Sequence, residues 1–241
     1  MASSAKKSSK PVFKTARPYS HTHWPALTSV TRTNIMDSLC NLLQPLGDHR
    51  KTYIHPSAGK KRKRANKTSQ KEAHELPDAP PPPPEIGNHI LIGLNSVTRH
   101  LEALAAQTAP QDKEKQNPSD QGQDQSKTSN PRPVALVLIP HNHPTSSLPH
   151  AHIPTLVHLS TLNSSPETAT RLLAFPPGCE PDIAAALHIP HVGALAVMEG
   201  APGADALVAY VREQVGLTRC AWIDEAMRAE WKGVRVEGAD G

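Results

Sequence analysis

Apolar positions along this chain fall into short blocks separated by long polar stretches. Residues 1–33 are rich in Ser, Lys, Thr and Pro and carry no apolar period, so a disordered tail with Trp24 docked is expected. From there Ile35, Leu39, Leu42, Leu43 and Leu46 recur at helical spacing. The spacing predicts a helix over 34–46 that Asn34 caps and Pro45 ends, the first helix of a core segment at 34–50. Ile90-Leu91-Ile92 is a short apolar run suited to a buried strand. Gly93 then allows a tight turn, and Asn95 or Ser96 caps a helix whose stripe is Val97, Leu101, Leu104 and Ala105.

The continuous run Val134 to Ile139 predicts a strand buried on both faces. A helix is expected after Pro149, then a strand at Arg171–Phe175. The next helix, Cys179–Leu187, has Pro181 in its first turn, with Glu180 and Asp182 matching its dipole. Val192–Val197 reads as the fourth strand. Asp205 is expected to cap a last helix with Leu207, Val208, Val211 and Val215 inward, and Gly216 to stop it. Strands alternating with helices predict an α/β fold, a three-layer α/β/α sandwich around a four-stranded mixed sheet.

The core so read spans 88–216, with a polar, disordered insertion at 109–132. Residues 51–87 form a linker holding Lys60-Lys61-Arg62-Lys63-Arg64 and the stiff run Pro80 to Pro84. Residues 217–241 form a C-terminal extension with Trp222 and Trp231 but no clear period.

Composition supports a moderate core with polar attachments. Of 241 residues, 37% are apolar and 3% aromatic, and 25 are proline, too little apolar surface for one packed domain of this length. No stretch approaches the roughly 20 apolar residues of a membrane span, and Met1 to Lys7 lacks the apolar region of a secretory signal. The three scattered cysteines, Cys40, Cys179 and Cys220, fit a reducing compartment rather than a disulfide framework or zinc site.

Charge is divided along the chain. Residues 1–76 hold 15 Lys/Arg against 4 Asp/Glu, a net of +11, and the remainder holds 11 against 18, a net of −7. Only the N-terminal part has the basic character of a nucleic-acid partner. Lys60, Lys61, Arg62, Lys63 and Arg64 read either as a nuclear-localisation signal or as a solvated charge run, and their tightness in a Pro-flanked linker favours the former.

A helix start with free N–H groups, a glycine that permits close approach and the cation Arg99 makes an anion-binding arrangement at 93–99. The competing reading is an ordinary capped helix whose Arg99 pairs with Glu102. Five histidines, His141, His143, His150, His152 and His158, crowd one later region. No carboxylate or cysteine lies among them, so they read as loop and helix-surface histidines rather than metal ligands. Protonated, they would supplement the positive charge. Hydrolase elbows, phosphate loops and dinucleotide fingerprints are missing, so no catalytic residue, metal or cofactor is expected.

The stretch Gly93-Leu-Asn-Ser-Val-Thr-Arg99 resembles the Gly-x-Asn-x-x-Thr-Lys/Arg signature of the kink-turn RNA-binding ribosomal protein family, the L-seven-Ae fold. Val134 to Ile139, Leu148 to Val157, Arg171 to Pro176, Cys179 to Leu187 and His188 to Val197 resemble its later strands and helices in order and spacing. The resemblance implies that Gly93, Asn95, Ser96, Thr98 and Arg99 contact a kink-turn. It implies that Ile189, Pro190, His191, Val192 and Gly193 pack on a flipped-out nucleotide; a plain helix-to-strand turn is the competing reading there. Ser96 stands where many members carry glutamate, and Ile92 where many carry lysine.

Leu42 to Arg50, the basic linker and the long insertion are similar to the fungal Pop-three family of ribonuclease P and ribonuclease MRP subunits. That resemblance implies a nuclear, nucleolar protein with the catalytic RNA and other subunits as partners, and a role in precursor tRNA and precursor rRNA processing. Chemistry in such particles belongs to the RNA and its Mg²⁺ ions. Two alternatives stay open: another ribonucleoprotein of the same fold, small nucleolar or ribosomal, and a protein-interaction scaffold without RNA binding.

Overall fold

The computed structural model describes residues 12–16, 22, 24–53, 81–108, 131–141, 147–228, 233 and 235–239. The basic run Lys60–Arg64, Pro80, nearly all of the expected insertion, His143 and Trp231 lie outside the described residues. The chain divides into two compact units, residues 24–218 and a unit formed by 1–23 with 219–241.

The larger unit is built on one sheet. Its elements are α1 (Ser29–Tyr53), β2 (Ile90–Ile92), α2 (Leu94–Thr108), β3 (Val134–Pro140), α3 (Ile153–Ser160), β4 (Arg171–Phe175), α4 (Glu180–Leu187), β5 (Leu195–Met198) and α5 (Asp205–Gln214); β1 (Val12–Ala16) belongs to the smaller unit. The strand order is β2-β5-β3-β4, with β5 antiparallel to both neighbours and β3 parallel to β4. This is the four-stranded mixed sheet expected.

Both faces of the sheet are covered, as its strands, apolar at every position except Arg171, require. Leu136, Leu138, Leu173, Phe175, Leu195 and Val197 join α1, α4 and α5 in one core. Val137, Ile139, Leu172 and Ala196 join α2 and α3 in another, with Trp24 packed beside it as anticipated. The result is an α/β/α sandwich.

The first helix is longer than its apolar period suggested. It begins at Ser29, where Thr28 accepts the Thr31 N–H on its hydroxyl at 3.2 Å, so Thr28 rather than Asn34 is the cap. Pro45 does not end it. A proline inside a helix costs about 3 kcal/mol, but burying a leucine recovers about 2 kcal/mol. Leu43 and Leu46 are both buried across the proline, which itself is exposed. The exposed side leaves the carbonyl that Pro45 cannot bond open to water.

Other boundaries shift too. Asp205 sits in the first turn of α5, where its charge suits the dipole, but Ala204 holds the cap position without a side-chain bond. Leu207, Val208, Val211 and Val215 are buried as expected. The helix stops because Val215 turns extended, at φ −115° and ψ 123°, before Gly216 is reached. Strand β5 starts at Leu195, three residues later than expected, because 192–194 are spent on a loop.

In the smaller unit, β1 (Val12–Ala16) pairs antiparallel with β6 (Arg235–Ala239) in the register Val12 to Ala239, and α6 spans Ala221–Met227. Strand β1 corrects the expectation that 1–33 would be disordered throughout, and α6 and β6 lie in 217–241, to which no element had been assigned.

Helices α1 and α4 cross closely at Gly47. A Cβ there would collide with the Ala186 carbonyl. Beside it, the Arg50 guanidinium donates to the Leu187 carbonyl at 3.4 Å, satisfying an orphan acceptor at the end of α4. In an open helix Gly→Ala gains about 1 kcal/mol. Here overpacking, which costs about 1–3 kcal/mol, opposes and outweighs that gain. Gly47→Ala is therefore expected to lower the thermal midpoint in calorimetry, whereas Ala106→Gly, exposed on α2, should lower it only by the propensity difference.

Candidate nucleic-acid interface

The end of β2 and the entry to β5 emerge at one place. Gly93 takes φ +94°, a conformation that glycine adopts without the Cβ penalty. Its N–H donates to the Ala194 carbonyl at 2.8 Å, and its own carbonyl accepts the Val97 N–H at 3.1 Å. Gly93 thus closes the sheet edge and opens α2 at once. It takes the capping position that Asn95 or Ser96 was expected to fill; those two lie inside the first turn, exposed. The N–H groups of Leu94, Asn95 and Ser96 precede the first intrahelical bond, as in any helix start.

The helix is anchored by its buried stripe. Val97 and Leu101 are fully buried, Ala105 nearly so, and Leu104 packs against the same core. That anchoring turns Asn95, Ser96 and Arg99 outward. Among the described residues Arg99 and Glu102 form no ion pair with each other. Thr98 is half-buried, and its hydroxyl lies 3.1 Å from His152 Nε2.

The second segment is positioned by the end of α4. His188 takes the left-handed conformation at φ 52° and ψ 49°, and its N–H and that of Ile189 bond back to Ala185 and Ala184. The chain then runs through Pro190, His191 and Gly193, all exposed, with Val192 buried and Ile189 half-buried. Glu180 was expected to serve the dipole of α4. It also braces this loop, its Oε1 accepting the Val192 N–H at 3.2 Å and lying 3.3 Å from His191 Nδ1. A cavity of about 310 Å³ opens beside the loop, lined by Ala184, Ala185, His188, Ile189 and Pro190.

The two segments touch. A side chain on Gly193 would meet Leu94 Cβ at 3.8 Å. Residues 93–99 and 189–193, about 90 positions apart in sequence, therefore make one continuous surface.

Histidines lie beside that surface, through contacts that the sequence reading did not identify. His150 is buried rather than on a loop surface, and so is His158. The His150 ring lies with Nδ1 2.8 Å from the Ser147 hydroxyl, and the backbone of Gly193 lies near enough to favour its protonated form. Its centroid is 4.9 Å from that of His141. The signal available in the sequence was the pair His150 and His152 just before the start of a helix; nothing local tied it to Gly193 or Thr98. Among the described residues no group of three or more His, Cys, Asp or Glu is arranged to hold a metal ion.

No protein-family model matches the chain, and no curated protein matches it either.

Burial, more than the neighbouring His141, holds the His150 imidazole below its ordinary value; the Gly193 backbone opposes this and His152 adds to it. As pH falls through the ordinary imidazole range near 6.5, the unfolded chain takes up this proton before the folded one. The stability that neutral His150 contributes is complete above that range and is lost below it. The thermal midpoint should fall between pH 7 and pH 5.5, and His150→Gln, which keeps a donor toward Gly193, should flatten part of that decline. An equal decline in the variant would assign it to other groups.

Proposed function

We propose that this chain is a non-catalytic RNA-binding subunit of the ribonuclease P and ribonuclease MRP ribonucleoproteins. It clamps the catalytic RNA for precursor tRNA 5′-end and precursor rRNA processing, in the nucleus and nucleolus. The observation that carries the reading is the meeting of 93–99 with 189–193, the two segments that the resemblance assigns to RNA, at one end of the sheet.

Each part has a physical role. The first-turn N–H groups of α2 and the exposed Arg99 receive a phosphate or base edge. Asn95, Ser96 and Thr98 supply hydrogen bonds. Gly93 admits the backbone of the RNA without an obstructing side chain, since nothing stands within 4 Å of its Cβ position. Ile189, Pro190 and the cavity beside them offer an apolar bed for a splayed base. The +11 of residues 1–76 adds phosphate contacts at longer range, with Lys60–Arg64 also serving nuclear import.

A second reading, a protein-interaction scaffold, is favoured by the net −7 of residues 77–241 and by Ser96 and Ile92 at positions where other members carry glutamate and lysine. Partner subunits covering part of the acidic surface reconcile that charge with a place in a ribonucleoprotein.

A tagged copy should co-purify with an activity that trims precursor tRNA at its 5′ end, and depletion should let 5′-extended precursors accumulate. Arg99→Ala should weaken binding to the recovered RNA and lower the salt slope by about one unit. Unchanged affinity and slope in a folded variant favour the scaffold. Recovery of guide RNAs alone, with normal tRNA processing, contradicts the ribonuclease assignment.

A further inference from the structure

Three imidazoles converge beside the surface formed by 93–99 and 189–193. His141 follows β3 directly, while His150 and His152 lie in the turn that enters α3. The rings of His141 and His150 are 4.9 Å apart at 41°. His150 lies near the Gly193 backbone of the 189–193 loop, and His152 Nε2 lies 3.1 Å from the Thr98 hydroxyl of α2. The cluster therefore touches both segments assigned to RNA. His152 is exposed and His141 half-buried.

Protonating more than one of three neighbouring imidazoles is electrostatically unfavourable unless a negative charge joins them. The charged groups that act on His150 are His141 and His152, each opposing its protonation. Among the described residues no carboxylate acts on it: the 189–193 loop brings the Gly193 backbone near it, and α2 brings the Thr98 hydroxyl to the neighbouring His152. The acid nearest that loop, Glu180, is engaged with His191 and the Val192 N–H.

We infer that His141, His150 and His152 form a third wall of the RNA-facing surface, in which protonated His152 and His141 bind a phosphodiester of the RNA strand and His150 sets them beside Gly193. This rests on the RNA-binding reading above. Imidazole is the side chain whose ordinary titration falls between pH 5 and 8. A base that gains an anionic partner keeps its proton to higher pH. The contribution of this wall is therefore present at acid pH and lost as pH rises.

The test is binding of the full chain to a ribonuclease P RNA transcript at pH 6 and pH 8 across a salt series. Wild type is expected to bind about tenfold more tightly at pH 6, equivalent to a one-unit shift of one proton, with a salt slope steeper by about one unit. The double variant His141→Gln with His152→Gln, checked for a wild-type thermal transition, should bind more weakly than wild type at pH 6 and change less than about twofold between the two pH values. His152→Arg should restore tight binding at both. Equal pH dependence in wild type and double variant overturns the proposal while leaving the RNA reading intact. Absence of binding at either pH overturns both. Inorganic phosphate that moves the His152 ring resonances as much as the RNA does also overturns the phosphodiester assignment.

Discussion

The candidate surface depends on the pairing of β2 with β5, a ladder of three residues closed by the Gly93 N–H on the Ala194 carbonyl. Ile92 opposite Leu195 puts the last residue of one strand beside the first residue of the other. The helix that leaves β2 and the loop that enters β5 must then begin within a few ångströms of each other. A parallel pair would have sent them to opposite ends of the sheet. With only three pairs, β2 is a short edge strand, and its hold comes less from the ladder than from the apolar side chains at its two faces, Ile90 in one core and Leu91 against the other. The helix α2 is held by the same second core through Val97 and Leu101, so the exposed face of its first turn is set by packing and not by any contact that RNA must make.

Around that junction the fold supplies support from three directions. Left-handed His188 aims the 189–193 loop, and Glu180 fixes it to the first turn of α4. His150 reaches Gly193 from the turn before α3, and His152 reaches Thr98 of α2. In the proposed complex a surface so braced would bind by fitting rather than by ordering itself, which lessens the entropy cost of association.

Much of this was legible in the sequence because the governing interactions are local. Strand β4 has the expected bounds, and the stripe of α2 is buried where a 3.6-residue period puts it. The turn at Gly93 was read from a single glycine after an apolar run. Errors arose where a local rule met a stronger neighbour. Pro45 ordinarily ends a helix, but the buried leucines flanking it carry α1 through. Asn95 and Ser96 are good caps by type, yet Gly93 already occupied the position that the sheet edge dictates. What could not be read at all was long-range: the pairing of Val12–Ala16 with Arg235–Ala239 spans most of the chain, and the links from His150 to Gly193 and from His152 to Thr98 join residues more than 40 positions apart. No period or motif encodes such contacts.

The central claim is that RNA lies on the surface formed by 93–99 and 189–193. Crosslinking the protein to RNA in cells with ultraviolet light, followed by mass spectrometry of the modified peptides, tests it directly. The account predicts nucleotide adducts within 93–99 and 189–193, on an RNA identified in the same sample as that of ribonuclease P or MRP. Adducts confined to the basic residues 1–76, with both core segments unmodified, would contradict it.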